Sequence, residues 1–322
     1  MQSIFKGLNP YSSFLYCCLL FWSCTSEPPP LQKIQGYALG TSYSISYVSS
    51  ALTPEYLTQK VDSIFEVLNN SLSTYIPDSD ISKINSGDSL LIVDEHFVKV
   101  YQKASEVWEE TDGFFDPTVG TLVNAYGFGP GKPLNYVSKK QRDSMLVLTG
   151  WSKTKLTPQH TIQKKEKAIY FDFNALAKGY TVDVLADYLK SNALESYLVE
   201  IGGEIVAEGK SPRSGKFWKI AIDDPQQRGQ RDFIQTVILE NKALATSGNY
   251  RKYAIDTETG LRIAHSINPK TGEAIPTKVL SASVTAPNCM TADAYATALM
   301  VMPLEDSQKL INSKSTKHSH NL

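Results

Sequence analysis

Cysteine is scarce and badly placed for cross-links. Of four in 322 residues, Cys17, Cys18 and Cys24 lie near the amino terminus and Cys289 stands by itself in the remainder, which excludes a disulfide framework. Net charge is nearly absent too. Against 32 Lys and Arg stand 33 Asp and Glu, so there is no broad basic face to hold a nucleic-acid backbone, and nucleic acid is excluded as a partner. The longest apolar run near the start, residues 14–22 behind Lys6, is too short for a permanent membrane span and suits a secretory leader. No internal repeat and no regular alternation of strand with helix is visible, which argues against a solenoid or a parallel βαβ sheet. What is present is ordinary globular material. With 42% hydrophobic and 20% charged residues, the chain can bury one large core or two smaller ones.

The leader ends in Phe21, Trp22, Ser23 and Cys24, followed by Thr25, Ser26, Glu27 and three prolines. A small residue before cysteine and a Pro-rich tether after it resemble a bacterial lipoprotein signal, although Phe21 and Trp22 are bulkier than that pattern usually shows. This divides the chain into a signal peptide at 1–23, a lipidated Cys24 with its tether to 34, and one folded domain at 35–322. It also implies a periplasm-facing protein held on the cell inner membrane by lipid. Cys17 and Cys18 leave with the leader, so no internal disulfide is possible, and Cys289 reads as a small buried packing residue.

Along the body, Tyr37, Leu39, Tyr43, Ile45 and Tyr47 alternate across a Gly40-Thr41 break, the pattern of a strand with a kink. Val61, Ile64, Phe65 and Leu68 fall at helical spacing, as do Phe97, Val100, Tyr101, Ala104, Val107 and Trp108, which stop at Asp112-Gly113. Between them the run STYIPDSDISKIN is polar and turn-rich, a loop rather than a core element. Ala177, Tyr180, Val184, Leu185, Tyr188 and Leu189 predict a further helix. Residues 197–207 predict a strand pair broken at Gly202-Gly203, with more strand at 217–222, 233–239 and 280–284. The fold class is therefore α+β with a largely antiparallel sheet.

Several polar stretches are not explained by packing. Asp293 and Thr297 share one face of a helix in the alanine-rich run after Pro287. A partly solvated carboxylate and a hydroxyl there offer the hard oxygen that magnesium takes, with the rest of its shell from water, carbonyls and phosphates. Read alone, a first-turn acid and a tolerated threonine is the plainer reading. Asp172 to Gly179, DFNALAKG, hands a strand to a helix, where free N–H groups and Lys178 would welcome a phosphate; a capped helix with a solvated lysine is the plainer reading. His265 lies in the turn sequence HSINPKTG and could take a proton from a hydroxyl near neutral pH, or could be structural. The glycine-rich loop at 113–131 is long enough to act rather than merely connect. ATSGNY at 245–250 and IGGE at 201–204 suit a ligand pocket or tight turns.

Taken together and in order, LGT at 39–41, STY and SDISKIN around Tyr75, GFFDPTVG, DFNALAKGYTVD, EIGGE, ATSGNYR, HSINPKTG and TAPNCMTADAYAT resemble the ApbE-type FAD:protein FMN transferases, from about Gly36 to Met302. That resemblance implies a fold related to the T-fold and an exported lipoprotein that binds FAD with magnesium. It implies breakage of the FAD pyrophosphate, with FMN passed to a Thr or Ser hydroxyl of a partner flavoprotein and AMP released. The implied acceptor belongs to a membrane electron-transport complex, of the Na-translocating NADH:quinone reductase or RNF type. The alternatives are an FAD pyrophosphatase, or a flavin-binding lipoprotein without catalysis.

The resemblance also assigns roles. Asp293, Thr297 and the carbonyl of Ala175 are the implied magnesium ligands. Leu39, Tyr75, Phe114, Phe115, Asp116, Asp172, Lys178 and Ile267 are the implied flavin-nucleotide contacts, and His265 is the implied base. Two departures stand out. A final strand-forming segment usual in the family is not evident in the polar end SKSTKHSHNL, which would leave a sheet edge exposed. Thr121 and Tyr126 stand where proline and tryptophan are common.

Overall fold

Leu39 and Gly40 both take left-handed backbone, with φ of 52° and 73°. Two such residues in succession make the tight turn whose twist suits an antiparallel hairpin. The alternation read as one kinked strand is accordingly two, β1 (Leu31–Ala38) and β2 (Thr41–Val48), paired in register from Ala38 opposite Thr41 to Leu31 opposite Val48. The computed structural model describes residues 30–319 except 227–231, 250–252, 256–259, 261 and 275–277, with backbone alone for 315–319. The leader, Cys24 and most of the tether therefore lie outside the described residues, as do Tyr250 and Arg251. The first strand starts at Leu31, so residues 31–34 of the expected tether already belong to the sheet, with Ile34 buried.

Chain order then runs through α1 (Pro54–Leu72), α2 (Asp80–Asn85), α3 (Glu95–Glu110), α4 (Gly120–Ala125), α5 (Lys139–Leu146), β3 (Thr154–Leu156) and β4 (Ile162–Lys164). It continues with α6 (Ala177–Ser191), β5 (Tyr197–Ile201), β6 (Glu204–Glu208), β7 (Trp218–Asp223), β8 (Phe233–Leu239), β9 (Lys242–Gly248), β10 (Tyr253–Ile255) and β11 (Arg262–Ala264). It ends with β12 (Ser281–Ala286), α7 (Cys289–Leu299) and α8 (Leu304–Ser319). The main sheet has six strands in the order β1-β2-β5-β6-β9-β12, every neighbouring pair antiparallel. The α+β class with an antiparallel sheet is thus what the structure shows.

Helix α1 starts at Thr53, whose hydroxyl accepts from the Tyr56 amide, and Pro54 fills the first turn where no donor is needed. Its buried stripe, Leu57, Val61 and Phe65, meets Val182, Leu185 and Leu189 of α6 over the β2 and β5 side chains Ile45, Tyr47, Val199 and Ile201. A second core joins α3, the segment at 171–176 and α7 through Phe97, Phe171, Phe173, Leu176, Ala294 and Ala298. The alanines of α7 are completely buried, and their small size lets that helix lie close to its neighbours.

Two readings of polar segments need correction. Within STYIPDSDISKIN, Ser79 caps α2 by accepting from the Ser82 amide, and Ile81 and Ile84 are wholly buried. A helix this short carries too few residues for periodicity to show, yet it is a core element. The polar end also differs: residues 304–319 are helical, and Leu310 packs against the second core. Strand β12 is one edge of the six-stranded sheet. Cys289 is buried and unpaired, a packing residue as read. Among the described residues no helix is long and apolar enough to cross a membrane.

Candidate active site

A cavity of about 1310 Å³ is walled by the β1–β2 turn, the end of α1, the loop at 114–117, the start of α6, the β5–β6 turn, β7, the end of β9, the loop after β11 and one face of α7. It is larger than the pockets of roughly 300–1,000 Å³ that hold a drug-sized ligand. Every residue nominated from the sequence lines it: Leu39, Tyr75, Phe114, Phe115, Asp116, Asp172, Ala175, Lys178, His265, Ile267, Asp293 and Thr297.

The floor is built where α6 and α7 meet. The Gly179 amide donates to Asp293 Oδ2 at 3.0 Å. A Cβ on Gly179 would fall 2.5 Å from the Cys289 carbonyl and 2.8 Å from Asp293 Cβ, so the approach needs glycine. Asp183 of α6 accepts from the Cys289 and Met290 amides at 2.6 and 2.8 Å, and Asn288 caps the same helix by accepting from Thr291. The start of α7 is therefore held from two sides, which sets the direction of Asp293 and Thr297. Thr297 lies 3.3 Å from the Ser247 hydroxyl at the end of β9.

Lys178 holds this floor electrically. Its Nζ is 2.6 Å from Glu204 Oε1 and 4.0 Å from Asp293 Oδ2. Asp293 is only 2% exposed, which corrects the reading of a partly solvated carboxylate. Burial pushes its pKa up to about 7, Lys178 pulls against that, and Glu204 adds to the rise. Lys178 is itself raised: burial lowers it, and Asp293 and Glu204 more than reverse the effect.

The walls are aromatic and loop-built. Tyr75 donates to the Phe128 carbonyl at 3.2 Å, and the Phe128 ring meets His265 edge-on with centroids 6.3 Å apart. Lys270 sits 4.2 Å over the Phe114 ring and pairs with Asp112 at 2.6 Å. His265 rides on a loop closed by Gly272 donating to Asn268 at 2.7 Å and by Tyr126 donating to the Gly272 carbonyl at 3.0 Å. Asp116 behaves differently from a free ligand contact. One oxygen accepts from the Thr118 amide and hydroxyl and the other from the Trp151 amide, so its carboxylate braces the loop that carries Phe114 and Phe115. Asp172 likewise accepts from the Asn174 amide at 2.8 Å, shaping the turn into α6.

From residue 39 to residue 319 the sequence matches the ApbE family. The chain belongs to that family. It is 36% identical over 291 residues to the FAD:protein FMN transferase of Vibrio cholerae, covering 88% of this chain and 85% of that one. With the FAD:protein FMN transferase of Haemophilus influenzae the identity is 36% over 290 residues, covering 87% and 83%. The structure superposes on the flavin transferase ApbE from Vibrio cholerae with a TM-score of 0.80 and 34% identity, covering 89% of this chain and 92% of the other.

Within this ApbE-family fold, Glu204 is the main site residue that the sequence reading left unassigned. It closes the EIGGE motif, yet its pairing with Lys178 is tertiary, and nothing in the local sequence announces it. Asp183 was also missed, because a carboxylate inside a helix reads as a solvated face. The donor set suits magnesium. Asp293 offers an oxygen that takes no hydrogen bond from a described residue, Thr297 a hydroxyl and Ala175 a carbonyl on the cavity wall. Glu204 Oε2 is buried with no hydrogen-bond partner among the described residues, and two buried carboxylates share one lysine, a charge imbalance that a divalent cation would relieve. Among the described residues no three His, Cys, Asp or Glu side chains converge as ligands.

Proposed function

We propose that this ApbE-family chain transfers FMN from FAD to a Thr or Ser hydroxyl of a partner flavoprotein. The observation that carries the reading is the convergence of Lys178, His265 and the oxygen face of α7 on one large, aromatic-walled cavity. Magnesium would be held by Asp293, Thr297 and the Ala175 carbonyl, and when bound it would neutralise charge on the diphosphate. Lys178 would hold a phosphate oxygen as a point charge. Tyr75, Phe114, Phe115, Leu39 and Ile267 would enclose the flavin nucleotide and keep water from the phosphorus.

The hydroxyl is a weak nucleophile at neutral pH and needs a base beside it. In the proposed step its oxygen bonds to the FMN-side phosphorus, His265 takes the hydroxyl proton, and the bond from that phosphorus to the bridging oxygen breaks, so AMP departs with the bridging oxygen. Replacing His265 by Ala should lower FMN transfer by roughly a hundredfold or more, the usual scale for a general base, while FAD affinity stays within twofold or so of the original. A variant that transfers at the original rate contradicts the assignment.

The resemblance to exported lipoproteins supports an acceptor on the periplasmic side of the inner membrane, in a complex of the Na-translocating NADH:quinone reductase or RNF type. The small residue before Cys24 and the polar tether after it support lipid anchoring. Mass spectrometry of the mature protein from bacterial membranes should find acylated Cys24 as its first residue. An unmodified start at another residue removes the anchor.

A further inference from the structure

The transfer needs a protein hydroxyl inside a cavity, and the structure has a feature suited to bring one there. Strand β7 pairs with β8 and, among the described residues, with no other strand. Five successive residues of it, 219–223, line the cavity. In a strand, successive side chains point to opposite faces, so a strand that meets a space with one face contributes alternate residues. A strand contributing consecutive residues meets that space with its edge. The edge of β7 is the row of backbone N–H and C=O groups that does not bond to β8, and such a row is a template for another strand.

The outer face of the same ribbon is open and carries exposed isoleucine beside Lys219 and Thr236. Lys219 stands opposite Ile238 and Ala221 opposite Thr236, so Ile238 shares their side of the ribbon, while Ile234 lies at the irregularity where Ile222 opposite Gln235 gives way to Asp223 opposite Phe233. Ile234 is 61% and Ile238 66% exposed. The opposite side is packed, with Trp218 and Leu239 in a small core against Ile205, Ala207 and Leu244 of the main sheet. The ribbon is thus anchored on one face, bare on the other, and edge-on to the reaction space.

We propose that β7 is the docking edge for the acceptor: an extended, Thr- or Ser-bearing segment of the partner protein adds as a strand beside β7, with the acceptor's body resting on Ile234 and Ile238. This rests on the transferase reading. Strand addition suits the task because main-chain bonds fix the segment while alternate side chains point into the cavity. Continuity between the edge and the cavity singles out a protein substrate over other apolar partners.

The test uses the full chain with FAD, magnesium and the flavoprotein domain of a Na-translocating NADH:quinone reductase as the probe. In the double variant Ile234→Asp with Ile238→Asp, both on an exposed face outside the cavity wall, the KM for the acceptor should rise about tenfold or more. The kcat at saturating acceptor and the affinity for FAD should not change. Hydrogen exchange with an acceptor whose modified hydroxyl residue is alanine should show slowed amides in 219–223 and unchanged amides in β1, an edge strand of the main sheet. If the unmodified enzyme transfers FMN while the variant keeps its acceptor KM, or if the β7 amides exchange at the same rate with saturating acceptor, the dock is wrong. Protection of β7 without acceptor that grows with enzyme concentration assigns the edge to a second copy and also overturns the proposal. If the unmodified enzyme makes no FMN adduct at all, the transferase reading itself fails, and the dock falls with it.

Discussion

Asp293 joins the legible and the illegible parts of the site in one side chain. Its spacing from Thr297 and its place after a proline are enough to put both on one helix face, which is why the oxygen pair could be read from the sequence. Its environment could not. The Gly179 amide, the Lys178 ammonium and the Glu204 carboxylate that surround it come from other elements, and only the meeting of α6, α7 and the β5–β6 turn brings them there. Replacing Asp293 by Asn keeps the size and an acceptor for the Gly179 amide but removes the charge. FAD turnover in magnesium should then fall by about a hundredfold or more, and magnesium with FAD should no longer raise the melting temperature. A variant whose melting temperature still rises with magnesium as in the original protein sinks the ligand assignment.

At the scale of elements, long amphipathic helices were readable and short or turn-defined pieces were not. The α1 and α3 stripes follow from apolar spacing, whereas α2 is too brief for a period and is fixed by tertiary bonds. Asn85 exchanges two hydrogen bonds with the Phe171 backbone, and Lys164 donates to the Ile84 and Ile169 carbonyls at 2.7 and 2.9 Å. The β1–β2 turn was mistaken for a kink because Leu39 gives no sign of left-handed backbone. Lys164 also gives α2 a pH signature. Burial lowers its pKa from 10.5 to about 8, so between those values the unfolded chain binds more protons than the folded one, and folding stability rises with pH. In urea denaturation, the stability of the original protein relative to Lys164→Met should therefore increase from pH 8 to pH 10.5. A difference that stays flat across that window contradicts the assigned shift.

For the whole molecule, the scarcities seen in the sequence and the packing seen in the fold agree. No disulfide braces the body, and the sheet is instead covered by α1, α6 and α7 through two apolar cores. The antiparallel class was legible from clustered strands, while the strand order, with β9 returning beside β6 and β12 beside β9, depends on long-range pairing that local pattern does not encode. That order builds the cavity, since it brings the Ser247, Glu204 and Thr297 elements to one place.

The same cavity could deliver FMN to water or to a protein, because in the proposed mechanism Lys178 and the α7 oxygens would act on the phosphate in either case. The measurement that separates the two is the intact mass of a folded acceptor domain after incubation with this protein, FAD and magnesium, with AMP counted in the same sample. The transferase account predicts one FMN gained per acceptor hydroxyl modified and one AMP released with it. AMP and free FMN accumulating beside an acceptor of unchanged mass would contradict the account and leave a hydrolase in its place.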